Sequence, residues 1–301
     1  MEVPLESLRH RITMDSSEQQ ETVSVPGGCV VKDCKRWQDV VAVILNVLMT
    51  LFFYFFDVFY VMPQFLGIFG QTVHFLVSTW IVYNILGNLR ACIGTMNSVY
   101  TLPPEMQQPA EGEEHLWHFC DLCQRSVPPR SWHCKTCKTC ILKRDHHCNF
   151  VGNCVGHNNH RYFLWFSFYA TIGSLLALAD NTLLANKYDI GIMDIITINF
   201  IIYEEFMNPG THDLGLHIGV RMLLGMNFVA IALPGCLAVT TLMTIRYNSV
   251  MYKTFDKTYD LGLWKNIAEV LGRRRLWTLL SPSIKSPLPH NGTQWQSKNS
   301  V

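Results

Sequence analysis

The chain has 301 residues, of which 49% are hydrophobic and 16% charged, with a formal net charge of +1. A soluble domain carries about 25% charged residues, so this one cannot coat a water-facing surface. Its apolar residues fall in long blocks rather than in stripes, which excludes an ordinary soluble enzyme, a disordered chain and a secreted disulfide miniprotein; the near-zero net charge removes any global electrostatic case for nucleic acid.

Residues 1–36 are polar and lack the apolar core of a signal peptide, so no cleavable leader is expected, and the tract from Asp15 to Gly28 reads as disordered. A membrane-crossing helix needs about 20 mostly apolar residues. Four blocks meet that requirement. Val40 to Phe56 is free of charge except for Asp57 just beyond it, and the run continues to Met62. Phe65 to Leu89 is uncharged, and Tyr162 to Ala179 is closed by Asp180. Met222 to Ile245 is bracketed by Arg221 and Arg246, and Pro234-Gly235 predicts a kink in it. Ile190 to Tyr203 is too short to cross, carries Asp194, and reads as an interfacial or re-entrant helix. No internal repeat is evident. The tail from about 281, rich in Pro, Ser and Asn, reads as disordered.

Basic residues give the orientation. Of 24 Lys and Arg, 22 lie before the first block, between the second and third, or after the fourth; only Lys187 and Arg221 lie on the other side. Both termini and the central loop are therefore expected in the cytosol. The expected organisation is a cytosolic N-terminus (1–38), helices 1 and 2 (39–89), a cytosolic cysteine-rich domain (90–161), helices 3 and 4 with a lumenal loop (162–245) and a cytosolic C-terminal region (246–301). The fold class is all-α integral membrane with a zinc-binding module between helices 2 and 3.

Seven of the 11 cysteines fall between Cys120 and Cys154. The order is Cys120-x2-Cys123, then His133-Cys134-x2-Cys137-x2-Cys140, then Asp145-His146-His147-Cys148, then Cys154. Clustered thiols in a reducing compartment point to metal rather than disulfides, and a C-x2-C hook lets both thiolates reach one tetrahedral zinc. Two closed sites use eight ligands, whereas the seven cysteines with His133, His146 and His147 supply ten. Spacing does not say which two are spare. A free thiol beside a free imidazole is the raw material of a nucleophile with its base, with Asp145 at hand to orient the ring; a purely structural zinc module is the alternative.

The string from Cys120 through Pro128, Arg130, His133 and the Asp145-His146-His147-Cys148 run to Asn153-Cys154-Val155-Gly156, Asn159 and Phe163 resembles the cysteine-rich domain of the DHHC protein S-acyltransferases, or palmitoyltransferases. The resemblance implies one zinc on Cys120, Cys123, His133 and Cys140 and a second on Cys134, Cys137, His147 and Cys154. It leaves Cys148 as nucleophile, His146 as general base and Asp145 as its orienting partner. The implied reaction moves a palmitoyl group from palmitoyl-CoA to Cys148 and then to a cytosolic cysteine of a membrane-associated protein. The implied partners are acyl-CoA, those proteins and the bilayer, with no nucleic acid. The membrane is expected to be that of the endoplasmic reticulum or Golgi. Lys135, Lys138, Lys143, Arg144 and Arg161 are candidates for CoA phosphates, and Gly173 falls near the family position that floors the acyl cavity. Tyr259-Asp260-Leu261-Gly262 with Asn266 resembles the family's C-terminal motif.

Several family positions differ. Asn149-Phe150 stands where Pro-Trp is usual, Val127 replaces a basic residue, Met96-Asn97-Ser98 replaces Asp-Pro-Gly, and Asn248-Ser249-Val250-Met251 replaces Thr-Thr-x-Glu. Ser249 is expected to bond near Asp145 in place of the threonine. The competing reading is a catalytically weak homologue acting as a membrane adaptor or chaperone. A ubiquitin-ligase-type zinc module is disfavoured by the ligand order. Cys29 and Cys34 are possible acylation sites; Cys92 and Cys236 read as packing residues, and His74 as hydrogen-bonded between helices. His157 and His160 have no assigned role.

Overall fold

The computed structural model describes residues 36–191, 207 and 214–298. Its frame is four helices long and apolar enough to cross a membrane. They are α1 (Trp37–Phe56), α2 (Ile68–Gly94), α3 (His160–Lys187) and α4 (Leu214–Tyr247), followed by the short α5 (Leu263–Leu271). Helix α3 lies between α2 and α4, its main neighbours. Pro234 sits inside α4, and the helix is assigned without interruption across it. The short apolar stretch after α3 lies beyond Gly191 outside the described residues, as do Cys29, Cys34 and the N-terminal tract.

The bundle is inside-out in polarity. Outward faces carry Leu48 and Phe52 on α1, Leu76 on α2, Leu175 on α3 and Val239 and Leu242 on α4, all exposed. Asn84, Asn88, Asn181 and Asn227 are fully buried. Each donates its amide to the carbonyl one turn back, at 2.8 to 3.0 Å, which satisfies one donor of each within its own helix. His74 Nε2 pairs with Asp180 Oδ2 at 2.9 Å between α2 and α3, as the sequence suggested. At Asp57 the first helix loosens into a π-turn, Asp57–Val61, a distortion common where a side chain is aimed into a site.

Between α2 and α3 the chain folds into three antiparallel hairpins of three-residue strands. β1 (His118–Cys120) pairs with β2 (Arg125–Val127), β3 (Trp132–Cys134) with β4 (Thr139–Ile141), and β5 (His146–Cys148) with β6 (Asn153–Val155). Isolated two-stranded hairpins are marginal in water. Only small apolar clusters sit beneath the first two, so metal binding is the stabilisation they are built to use, whereas the third packs on the main apolar cluster.

The tail differs from expectation. Residues 281–298 form an extended strap across the molecule rather than a disordered segment. Ser281 and Ser283 bond the Tyr83 hydroxyl, and Pro282 packs on Gly87, where a Cβ would come within 2.6 Å of the proline ring. Arg161 donates to the Ser286 carbonyl, His290 pairs with Glu269 at 2.6 Å, and the Lys298 amide reaches Thr258. Composition reported that the tail has no core of its own; it docks on surfaces already folded.

Candidate active site and metal centres

The three hairpins repeat one unit. Cys120, Cys134 and Cys148 recur every fourteen residues, each ending the first strand of its hairpin. Gln124, Lys138 and Gly152 follow at the same spacing, each left-handed with φ of 51°, 52° and 57°. His133 and His147 share a position, as do Cys140 and Cys154. The first two units carry a second cysteine at Cys123 and Cys137; the third carries Val151, fully buried. The repeat escaped the sequence reading because few residues besides the ligands and turn positions are shared.

Each hook is completed by a cross-strand pair from the next hairpin. His133 stands opposite Cys140, and His147 opposite Cys154. The result is two groups of four, Cys120, Cys123, His133 and Cys140, then Cys134, Cys137, His147 and Cys154. In the first, His133 Nδ1 is 3.3 Å from the Cys123 sulfur and 3.9 Å from that of Cys120, and Cys123 and Cys140 are 3.7 Å apart. In the second, His147 Nδ1 lies 3.3, 3.7 and 3.9 Å from Cys137, Cys154 and Cys134. Four ligands about 2.3 Å from a central ion lie about 3.8 Å apart, so both cages fit a tetrahedral ion, and three thiolates with one imidazole is a structural zinc donor set.

Cys148 belongs to neither group. It is buried within a cluster that includes Cys92, Val151, Phe163 and Leu89. His146, two residues earlier in the same strand, turns Nδ1 to Asp145 Oδ2 at 2.7 Å and packs edge-on to Phe163. Its Nε2 is buried without a conventional hydrogen bond. Burial works against charge on the ring, but the bond to Asp145 and the neighbouring Cys148 thiol raise His146 to about 9. Asp145 is buried as well. Burial opposes its charge, yet His146, the nearby His160 and the Met251 amide hold the carboxyl below its usual range. Ser249 does not serve Asp145: its hydroxyl donates to the Thr254 carbonyl at 2.6 Å, and the Met251 N–H takes the carboxylate at 2.6 Å.

Beside this centre lies an apolar cavity of about 750 Å³ bounded by all four membrane helices. Phe150, two residues beyond Cys148, lines one end, and Asp57 and Asp180 line the other. Asn46 approaches the Phe150 carbonyl at 3.5 Å, so the eleven residues from Asn46 to Asp57 put the polar end about 16 Å deeper along α1. Gly173 lies on the wall, where a Cβ would press on Ile81 at 3.2 Å and Ile85 at 3.4 Å. It is thus a packing glycine and a cavity residue together.

The basic candidates separate by burial. Lys135 and Lys138 are exposed and Arg144 is half-buried. Arg161 is buried over Tyr162, and Lys143 is 1% exposed, so neither is free to meet a phosphate. Lys143 donates to Asn248 Oδ1 at 3.1 Å, and burial with the neighbouring Arg130 pushes it down to about 7. Arg130 donates to the Asn248 carbonyl at 2.7 Å and lies over the rings of Tyr259 and Trp295 at 4.4 and 4.2 Å. His157 stacks on His290, donates Nε2–H to the His290 carbonyl at 2.9 Å, and is held neutral by burial at about 3. The Asn266 amide bridges Asp260 and the Arg246 carbonyl, which fastens the end of α4. Cys92 is buried as expected, but Cys236 is exposed on the outer face of α4. Nothing in the sequence pointed to Trp295 or Lys143 as partners, because neither pairing is local.

The model of the DHHC palmitoyltransferase family matches residues 113–258. A human protein named probable palmitoyltransferase ZDHHC24 is 26% identical over 247 residues, covering 79% of this chain and 84% of its own. The zebrafish (Danio rerio) protein of the same name is 30% identical over 188 residues, 60% of this chain and 62% of its own. Probable protein S-acyltransferase 12 of Arabidopsis thaliana is 28% identical over 170 residues, 54% and 53% respectively.

Proposed function

We propose, on the premise that residues 113–258 are a divergent DHHC palmitoyltransferase domain, that this chain is a zinc-stabilised membrane S-acyltransferase working through an acyl-enzyme on Cys148. The observation that carries the reading is that both four-residue groups leave out one clustered cysteine, and that one lies two residues from His146 of the His146–Asp145 pair and two from Phe150, which lines an apolar cavity. When bound, two zinc ions would supply structural cross-links, held by the eight side chains named above; His146 and Cys148 remain outside both sets.

His146 takes the proton of the Cys148 thiol through Nε2, and Asp145 stabilises the imidazolium and fixes its tautomer. The thiolate attacks the thioester carbonyl of a long-chain acyl-CoA such as palmitoyl-CoA. Collapse breaks the bond to CoA, whose sulfur leaves with the proton held on His146. In the second half, His146 accepts the proton of an incoming cysteine thiol, that sulfur attacks the acyl carbonyl, and Cys148 departs as thiolate. One thioester replaces another at each stage, so the site supplies position and exclusion of water rather than driving force. The acyl chain lies in the cavity, where each buried methylene contributes about 0.8 kcal/mol. The excess of Lys and Arg on the module's side supports a reaction at the cytosolic face, within reach of CoA and of juxtamembrane cysteines.

Purified protein incubated with labelled palmitoyl-CoA should take up hydroxylamine-sensitive label that Cys148→Ser lacks. Equal labelling of the two would refute the acyl-enzyme and leave the adaptor reading.

A further inference from the structure

Asp39 sits in the first turn of α1, is 1% exposed, and takes no part in the acyl transfer described above. Its Oδ2 lies 3.4 Å from Nε2 of His147. Its Oδ1 is 3.6 Å from the Arg36 guanidinium, which donates in turn to Asn149 Oδ1 at 3.3 Å. His147 directs its other nitrogen, Nδ1, at the sulfurs of Cys134, Cys137 and Cys154. An imidazole that ligates through Nδ1 is neutral and carries its proton on Nε2. The carboxylate in ion-pair contact with that nitrogen is that of Asp39, at 3.4 Å and short of an aligned hydrogen bond. His133, the same position one repeat earlier, has no carboxylate within ion-pair distance among the described residues.

We infer that Asp39 is a positioning residue: through the Nε2–H of His147 it orients the second metal cluster and clamps the first membrane helix to the hairpin that carries Cys148. The route is short. His147 and Cys148 are consecutive in β5, opposite Cys154 and Asn153. The turn that follows, Asn149–Val151, packs against α1, and Gly152 comes so close that a Cβ there would touch Val43 at 3.4 Å. Ala42, Leu45 and Asn46, on the next turns of α1, line the cavity. One carboxylate therefore ties the cavity wall, the metal ligand and the reacting strand into a single body. Carboxylates behind metal-bound histidines hold the ring and raise its basicity, and losing one costs about 10- to 100-fold in metal affinity. The inference rests on the two groups holding metal and not on acyl transfer.

The test uses the full chain, purified in detergent with its zinc, and follows release of the two ions to an excess of chromogenic chelator. Asp39→Asn, nearly isosteric, should speed release of one ion by about 10- to 100-fold and leave the other at the wild-type rate. Arg36→Ala should leave both rates within about twofold, because Arg36 touches the carboxylate but not the histidine. Unchanged release in Asp39→Asn, or equal acceleration of both ions, would overturn the inference. If that variant does not fold, nitrogen-15 histidine spectra of the wild type decide: one metal-bound histidine should show a downfield, slowly exchanging Nε2–H, and its absence overturns the assignment. A protein that binds no zinc overturns the metal reading itself, whereas failure of Cys148 to acylate leaves the release result standing.

Discussion

Asp145 and Met251 are joined through the backbone: the Met251 N–H donates to Oδ1 at 2.6 Å, while Oδ2 of the same carboxylate meets His146 Nδ1 at 2.7 Å. Loss of the acidic residue usual at this family position therefore leaves the bond to Asp145 intact, because the side chain does not make it. Met251→Ala should acylate within about threefold of wild type. Met251→Pro should acylate about 10- to 100-fold more slowly, since a hydrogen bond to a charged group contributes about 1.5–3 kcal/mol. Residue 251 opens a single 3-10 turn, where proline's φ is accommodated. Single-turnover acylation rates decide the matter, and equal rates for the two variants would show that the amide is dispensable.

The His146–Asp145 pair sets a pH dependence of stability. The folded-state value of His146, about 9, lies above the unfolded value of about 6.5. Its contribution is complete below the unfolded value and is lost as pH rises through the folded one. The difference in melting temperature between wild type and His146→Gln should be largest at about pH 6 and shrink by about pH 10. A difference independent of pH would mean that the pair adds no charge-linked stability.

Adjacent histidines have opposite duties. His147→Ala should lose one of two zinc ions and fold poorly, because its Nδ1 closes a cage of three sulfurs. His146→Ala should keep both ions and lose acylation. Elemental analysis of the purified variants checks this directly; equal zinc loss in both would erase the division.

Cys148 falls outside both groups because Val151 stands where the first two hairpins carry Cys123 and Cys137, and because helix α3 rather than a further hairpin with a His–Cys pair follows it. Val151→Cys should restore a C-x2-C hook and bring the reacting sulfur under the control of added zinc. Autoacylation of this variant should collapse in micromolar zinc and recover after brief chelation, whereas Val151→Ala should be indifferent to it. Matching zinc sensitivity in the two variants would contradict this account.

Asp57 and Asp180 end the cavity with polar groups, and Asp57 Oδ1 is buried without a partner. A methyl terminus pressed on that oxygen would leave it unsatisfied among hydrocarbon. Asp57→Ala, which shortens the side chain and removes the carboxyl group, should raise labelling by arachidoyl-CoA relative to palmitoyl-CoA. An unchanged ratio would remove the end wall from chain-length selection.

The membrane helices were legible because continuous apolar length is itself the signal: α2 runs Ile68–Gly94 where Phe65 to Leu89 was expected, and α3 begins at His160 instead of Tyr162. The eight side chains of the two cages were legible through cysteine spacing together with the family resemblance. Asp39 was not, since a lone acid at a helix start has an ordinary explanation in the helix dipole. Lys143 reads in sequence as a candidate for CoA phosphates, yet it is enclosed under Trp295, about 150 residues further along the chain. The strap was missed for the same reason. Its residues have little affinity for one another and considerable affinity for a surface that exists only once the rest has folded.

That strap also imposes an order of assembly. Trp295 and His290 are synthesised after all four membrane helices, and until they arrive the Arg130 and Lys143 charges lack part of their aromatic cover. A nascent chain that has made its last long helix still lacks the indole over these two side chains, which lie close in sequence to Asp145. The chain must therefore be translated past Trp295 before that cover is complete, so a ribosome-bound precursor lacks it even with all four long helices made.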